Sequence, residues 1–227
     1  MSRQPLPPLL TDIYDRLFAR FGPQHWWPGE TPFEIAIGAI LTQNTNWRNV
    51  ERAIANLKQA GMLSADGILD VNENALAELI RPSGYFRQKA ARLKIFCRFL
   101  GDNFGGEIGR MADFDIHTLR RKLLSVNGIG PETADSIILY AAGKPVFVID
   151  AYTKRVLLRH GIIDAKAGYH HMQELFHANI EHDERLFNEY HALFVRLCKE
   201  HCMKKPQCGG CPLQSIDHAP SMSFSNQ

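Results

Sequence analysis

Apolar side chains return every three or four residues along nearly the whole chain, as in Leu9, Ile13, Leu17 and Phe21, or Leu186, Tyr190, Leu193 and Leu197. That is the period of an α-helix with one face on a core. No convincing run alternates apolar and polar residues as a half-buried strand does, so the spacing predicts an all-α chain of about ten helices. Glycine and proline punctuate it at Gly22-Pro23, Pro28-Gly29, Pro82 to Gly84, Gly105-Gly106, Gly128 to Pro131, Gly143 to Pro145 and from Pro206 onward.

The 227 residues suffice for one large domain or two small ones with real cores. Pattern alone predicts two helical lobes with a cleft between them, residues 1–30 with 144–227 in one and 31–143 in the other. The 26 Lys and Arg nearly balance the 24 Asp and Glu, leaving +2, so any contact with nucleic acid must come from local patches. The most apolar run, Ile35 to Leu41, is too short to cross a bilayer, and the proline-bearing start is unlike a secretion signal. A soluble, cytoplasmic protein without a membrane partner is expected. Cys97 stands apart from the other four cysteines and reads as a core residue.

Between two helical stretches lies Val126-Asn127-Gly128-Ile129-Gly130-Pro131-Glu132-Thr133-Ala134. Two glycines in a tight turn allow positive φ and leave backbone N–H groups bare at a helix start, a natural anion site. Pro131 fits the first helical turn, where its missing N–H is not needed. Taken alone, the segment reads better as an ordinary corner between helices. Eighteen residues after Glu132, the apolar run Val146 to Ile149 delivers one acid, Asp150, to the start of another helix. An aspartate there serves as an N-cap, as a reacting carboxylate, or as both.

In these residues the chain resembles the helix-hairpin-helix DNA glycosylases of the endonuclease III superfamily, which carry a GxG hairpin followed at this distance by a catalytic aspartate. Leu41-Thr42-Gln43-Asn44-Thr45 looks like that family's helix-end motif, and Gly84-Tyr85 with Lys89-Ala90 like the start of its central helix. Trp26-Trp27-Pro28, Arg81-Pro82-Ser83-Gly84 and Gly128-Ile129-Gly130 with Glu132 and Ala134 are most similar to the bacterial 3-methyladenine DNA glycosylase III group. The resemblance implies a nucleoid-associated, monomeric base-excision enzyme acting on double-stranded DNA that contains damaged bases. It implies DNA contacts from Gln43, Gly128, Ile129, Gly130 and Thr133, with Gln43 filling the gap left by a flipped nucleotide.

Breaking an N-glycosidic bond builds oxocarbenium character on the sugar, which a nearby carboxylate stabilises, and Asp150 is the candidate. Relatives that also cut the strand carry a lysine nucleophile where this chain has Glu132, and a carboxylate cannot form the Schiff base. The sequence therefore points to base removal without strand cleavage. Glu132 either suits the helix dipole as a first-turn acid or polarises the extruded base. Lys154, one turn past Asp150, is expected in solvent or on a phosphate.

The three tryptophans fall in two short stretches, Trp26 with Trp27, and Trp47. An extrahelical base needs aromatic faces to replace lost stacking, and a cationic methylated purine gains cation–π attraction as well. The resemblance assigns Trp26, Trp27, Pro28 and Trp47 to the base pocket; core packing is the bland use of a tryptophan.

Cys198-x3-Cys202-x5-Cys208-x2-Cys211 sits in a stretch containing Lys199, Lys204 and Lys205. Four clustered thiols in a chain without a secretion signal suit metal or cluster ligation better than disulfides. The family's iron–sulfur loop spaces its ligands by six, two and five residues. Here Cys202, Cys208 and Cys211 resemble the first three with one residue deleted, Asp217 stands in the place of the fourth, and Cys198, one helical turn before Cys202, compensates. The resemblance favours a [4Fe–4S] cluster; a zinc site or a metal-free loop are the alternatives.

The reading is thus a glycosylase for alkylated purines such as 3-methyladenine. Its alternatives are a glycosylase with lyase activity on oxidised pyrimidines, and a non-catalytic DNA-binding module.

Overall fold

A computed structural model of the chain describes residues 6–26 and 29–216. Among the described residues the secondary structure is helical throughout, with no strand. The helices are α1 (Leu6–Phe21), α2 (Pro32–Leu41), α3 (Trp47–Gln59), α4 (Ala65–Asp70), α5 (Glu73–Leu79), α6 (Phe86–Phe104), α7 (Ile116–Leu124), α8 (Pro131–Ser136), α9 (Ala151–Arg159), α10 (Tyr169–His177) and α11 (Glu184–Glu200). Short 3-10 turns cover Arg81–Ser83 and Ile108–Asp113, and α8 runs on into a π-helical turn, Ile137–Ala141. None of these helices is long and apolar enough to cross a membrane.

Helix starts follow from local chemistry. Thr31, Asn46, Ser64, Asn72, Asp115, Asp150 and Asp183 each sit just before a helix and accept a backbone N–H from its first turn. Each such cap satisfies one of the orphan amides and contributes about 1 kcal/mol.

The chain divides into two compact units. One comprises Trp27–Lys144. At its centre α2, apolar on nearly every side, buries Ile35, Ile37, Ile40 and Leu41, so the run too short for a bilayer is a core helix. Helix α6 packs on α2, α4 and α5 and buries Leu93, Phe96, Cys97, Leu100 and Phe104. Cys97 is fully buried, and burial pushes its thiol up to about 12. Lys89 on α6 is 1% exposed, its Nζ donating to the carbonyls of Leu41 (2.8 Å) and Ser83 (2.6 Å). It thereby closes the C-terminus of α2 with a cation and fixes where the following loop, 42–46, begins.

The second unit comprises Met1–Trp26 and Pro145–Gln227. Helix α11 packs against α1 and α9 and buries Phe187, Tyr190, Leu193, Phe194 and Leu197. The Tyr190 hydroxyl donates to Leu10 O at 2.7 Å, tying α11 to α1. Phe147 stacks on Phe176 at 3.7 Å between ring centres, and both meet Tyr190 edge to face.

Candidate active site and cysteine loop

The expected hairpin joins α7 to α8. Ile129 N–H closes its turn on Val126 O at 3.0 Å, and the Ile129 side chain is only 6% exposed, an apolar anchor. The two glycines are not alike. Gly128 has φ +89°, whereas Gly130 has φ −92°, ψ 178° and caps α8 from an extended conformation. The expected positive φ therefore holds for Gly128 and not for Gly130. A Cβ on Gly128 would lie 2.7 Å from the Arg92 side chain, while one on Gly130 would meet nothing within 4 Å. Arg120 grips the fully buried Asp135 through two bonds of 2.7 and 3.1 Å, bracing α7 against α8.

Gln43 is bound up in this hairpin. Its amide donates to Gly128 O at 2.9 Å and to the Thr133 hydroxyl at 3.0 Å, and its carbonyl accepts from Arg92. The structure thus brings Gln43, Gly128 and Thr133 together, with Arg92 as a fourth member that motif reading does not pick out. Filling a gap in DNA would require Gln43 to exchange these bonds. Next to it, Asn44 holds a left-handed backbone at φ +56°. Glu132 is exposed in the first turn of α8.

Trp47, at the start of α3, lays its ring over Gly38 of α2, where an added Cβ would lie 3.3 Å from the ring. Trp26 is half-buried, and Lys199 Nζ lies 5.8 Å from its ring centre. Trp27 and Pro28 lie outside the described residues, as does Asp217.

Asp150 occupies the N-cap of α9. One carboxylate oxygen accepts from Thr153 N–H at 2.7 Å and the other lies 3.5 Å from His191 Nε2 on α11. Burial pushes the carboxyl up, yet His191 and Thr153 together outweigh burial and hold it below the ordinary carboxylate range. At neutral pH it is an anion able to face positive charge and to accept a proton.

The segment leading to Asp150 is buried but belongs to no sheet, so its polar backbone needs side-chain partners. Helix α10 supplies them from one face. His177 Nε2 accepts Phe147 N–H at 3.0 Å, Gln173 donates to Phe147 O at 2.8 Å, and the Tyr169 hydroxyl accepts Ile149 N–H at 3.3 Å. Residues 169, 173 and 177 follow one another by a helical turn, which puts all three on one stripe. That polar stripe was the available sequence signal; His191, amid the buried Tyr190, Ala192 and Leu193, was another.

Beyond Asp150, α9 also holds the cysteine loop. Arg155 donates to Cys202 O at 3.2 Å, and Arg159 to Cys202 Sγ at 3.0 Å, Met203 O at 2.7 Å and Lys204 O at 3.0 Å. Cys198 on α11 donates its thiol to Tyr152 O at 3.6 Å. Cys198 and Cys202 are buried, Cys211 is half-buried and Cys208 exposed. The Cys198 thiol and Arg159 bring Cys202 down to about 6 against the opposing effect of burial; Cys198 itself is pushed up by that shared hydrogen bond and by burial. Burial pushes the Cys211 thiol up, and the charges of Cys202 and Cys208 add to the effect. Among the described residues no three such side chains stand in a finished metal-binding arrangement. The donor chemistry nevertheless suits a thiolate-bound group: four cysteines within fourteen residues of sequence, with a guanidinium favouring the thiolate at Cys202. Lys199, Lys204 and Lys205 are exposed around them.

The sequence matches the HhH-GPD superfamily base excision DNA repair protein family over residues 37–182. It is 49% identical over 209 residues to a candidate DNA repair glycosylase of Methanocaldococcus jannaschii, spanning 92% of this chain and 95% of that one. The fold superposes on H. pylori 3-methyladenine DNA glycosylase bound to 1,N6-ethenoadenine with a TM-score of 0.73 and 28% identity, covering 87% of this chain and 98% of that one. It also matches endonuclease III in a non-covalent DNA complex with a TM-score of 0.81 over 93% of this chain and 94% of that one, where 23% identity speaks for the fold alone. With its hairpin, its capping aspartate and this extent of likeness, the chain belongs to the HhH-GPD superfamily of base excision DNA repair proteins.

Proposed function

We propose that this DNA glycosylase removes alkylated purines of the 3-methyladenine kind by hydrolysis and leaves the abasic strand uncut. The carrying observation is the setting of Asp150, a half-buried carboxylate that accepts Thr153 N–H at 2.7 Å and lies 3.5 Å from His191 Nε2, partners that hold it below the ordinary carboxylate range. Such a group is a poor general acid at neutral pH and a persistent anion, which takes up a proton only from water already adding to the cationic sugar. A purine that alkylation has made cationic leaves as a neutral base, taking the electron pair of its glycosidic bond and needing no proton from the enzyme. Water adds to the sugar carbon and gives its proton to the carboxylate, whose charge has stabilised the oxocarbenium in between.

Glu132 supports the hydrolytic course, since an acid stands where a lyase needs an amine. Stacking of the extruded base is assigned to Trp26, Trp27 and Trp47 with Pro28, and DNA contact to Gln43, Gly128, Ile129, Gly130 and Thr133. A [4Fe–4S] cluster on Cys198, Cys202, Cys208 and Cys211 is our assignment for the loop; when bound it supplies a cross-link rather than electrons. The exposed lysines around it suit DNA phosphates.

Incubation with methylated duplex DNA, followed by chromatography of the released base, tests the reading. Methylated purine is expected from the wild type, with Asp150→Asn slower by roughly 10²–10⁴-fold. Asparagine also caps helices, so that variant should melt within about 1 kcal/mol of the parent. Borohydride should trap no covalent complex. Release of oxidised pyrimidines with trapping lost in Lys154→Ala would replace the proposal by the lyase reading; DNA binding without release of any base would replace it by the binding module.

A further inference from the structure

Helix α11 carries His191 on a face that is otherwise apolar. The residue is 7% exposed, and Tyr190, Ala192, Leu193 and Phe194 beside it are buried. An ionisable ring among such neighbours costs stability unless something compensates. One such group is Asp150, whose second carboxylate oxygen lies 3.5 Å from His191 Nε2. The other carboxylate oxygen is already committed to the Thr153 amide. One oxygen is thus held by the helix start, and the other faces a ring from a different helix at 3.5 Å.

We propose that His191 is a positioning residue for base excision: through its Nε2 it orients Asp150 and keeps it ionised while substrate strips water from the site. The inference rests on the reading of Asp150 as the reacting carboxylate. Excision requires a buried anion next to a forming cation, and closing DNA over a carboxylate favours its protonation. A ring nitrogen 3.5 Å from the carboxylate opposes that protonation. When water attacks the sugar carbon, its proton passes to Asp150; the glycosidic electron pair leaves with the base, and His191 exchanges no proton with the sugar.

The neighbours of Asp150 do not offer a substitute. On its own helix the stabilising partner is Thr153, and Arg155 is directed to Cys202 O. From α10, Tyr169 is engaged with Ile149 N–H. From α11, the Cys198 thiol is the other titratable group that feels the Asp150 charge, and it is engaged with Tyr152 O and Cys202. Of these, His191 alone places a nitrogen at a carboxylate oxygen left unused by the cap.

The experiment compares wild type, His191→Phe and His191→Gln in single-turnover excision of a methylated duplex from acid to neutral pH, alongside affinity for a duplex bearing an uncleavable abasic-site analogue. Loss of a partner for the charged form raises the carboxyl pKa, so the acid limb of the rate profile should move up by about one unit in His191→Phe. The rate at neutral pH should fall about tenfold with duplex affinity unchanged. His191→Gln keeps an N–H near the same place and should recover part of both. A carbon-13 titration of the Asp150 carboxyl should rise in the same order, Phe above Gln above wild type, and it reads the pairing without any turnover. Should His191→Phe fail to fold, the Gln variant still carries both readouts. Rates lowered uniformly at every pH, with the carboxyl titration unmoved, would reduce His191 to packing and overturn the inference. A wild type that releases no base would instead overturn the proposed function, and the carboxyl titration would then decide the pairing by itself.

Discussion

Gly128 and Gly130 read identically in the sequence and differ in the structure. At Gly128 a side chain meets two obstacles, a φ of +89° and the Arg92 chain 2.7 Å from the would-be Cβ; Gly130 has neither. Gly128→Ala should therefore cost at least about 1 kcal/mol of stability and weaken DNA binding, while Gly130→Ala should change either by no more than about 0.5 kcal/mol. Denaturant unfolding and salt-controlled duplex titration check both, and equal losses in the two variants would contradict the distinction. Asp150 shows the opposite relation between sequence and structure. Its candidacy was legible from the apolar run before it and the helix after it. Its ionisation was not, because His191 is 41 residues away along the chain and reaches it only through the packing of α11 on α9.

At the scale of elements, side chains fix where helices end and loops begin. Lys89 does so for α2, and its Nζ is brought down to about 8 by burial and by the neighbouring Arg92 charge. The sign follows from proton binding. Between about 8 and the ordinary 10.5 the unfolded chain holds the lysine proton and the folded chain does not, so stability contributed at this site rises as pH rises through that window. Wild type should accordingly gain melting temperature relative to Lys89→Met between pH 7 and pH 10, and a pH-independent difference would refute the burial argument. The stripe Tyr169, Gln173, His177 performs the same kind of work on the segment before Asp150, replacing the sheet partners that an isolated extended run lacks. Sequence periodicity finds such a helix from its apolar face, and is silent about which polar residues on the other face have a partner.

Across the whole molecule, the cysteine loop and Asp150 share two helices. Asp150 starts α9, Arg155 and Arg159 further along it grip the loop, and α11 carries both His191 and Cys198. If the four thiols bind a cluster, protein purified without oxygen should be coloured and carry about four irons per chain. Cys198→Ser should then lower both the iron content and the melting temperature, because the loop would no longer fasten α11 to α9. A colourless, zinc-loaded protein would remove the cluster assignment. What the sequence determined by itself was what local rules can read: the helical class from the 3.6-residue period and the hairpin from its glycines, with Asp150 at a helix start and the four clustered thiols as candidates for chemistry. Tertiary structure alone decided what depends on groups distant in the chain: that Gly128 and not Gly130 needs to be glycine, that Gln43 is held within the hairpin by Arg92, and that His191 faces Asp150. The physical reason is that period and capping act over one or two helical turns, whereas charge state, hydrogen-bond partnership and steric room are set by whatever the fold packs alongside.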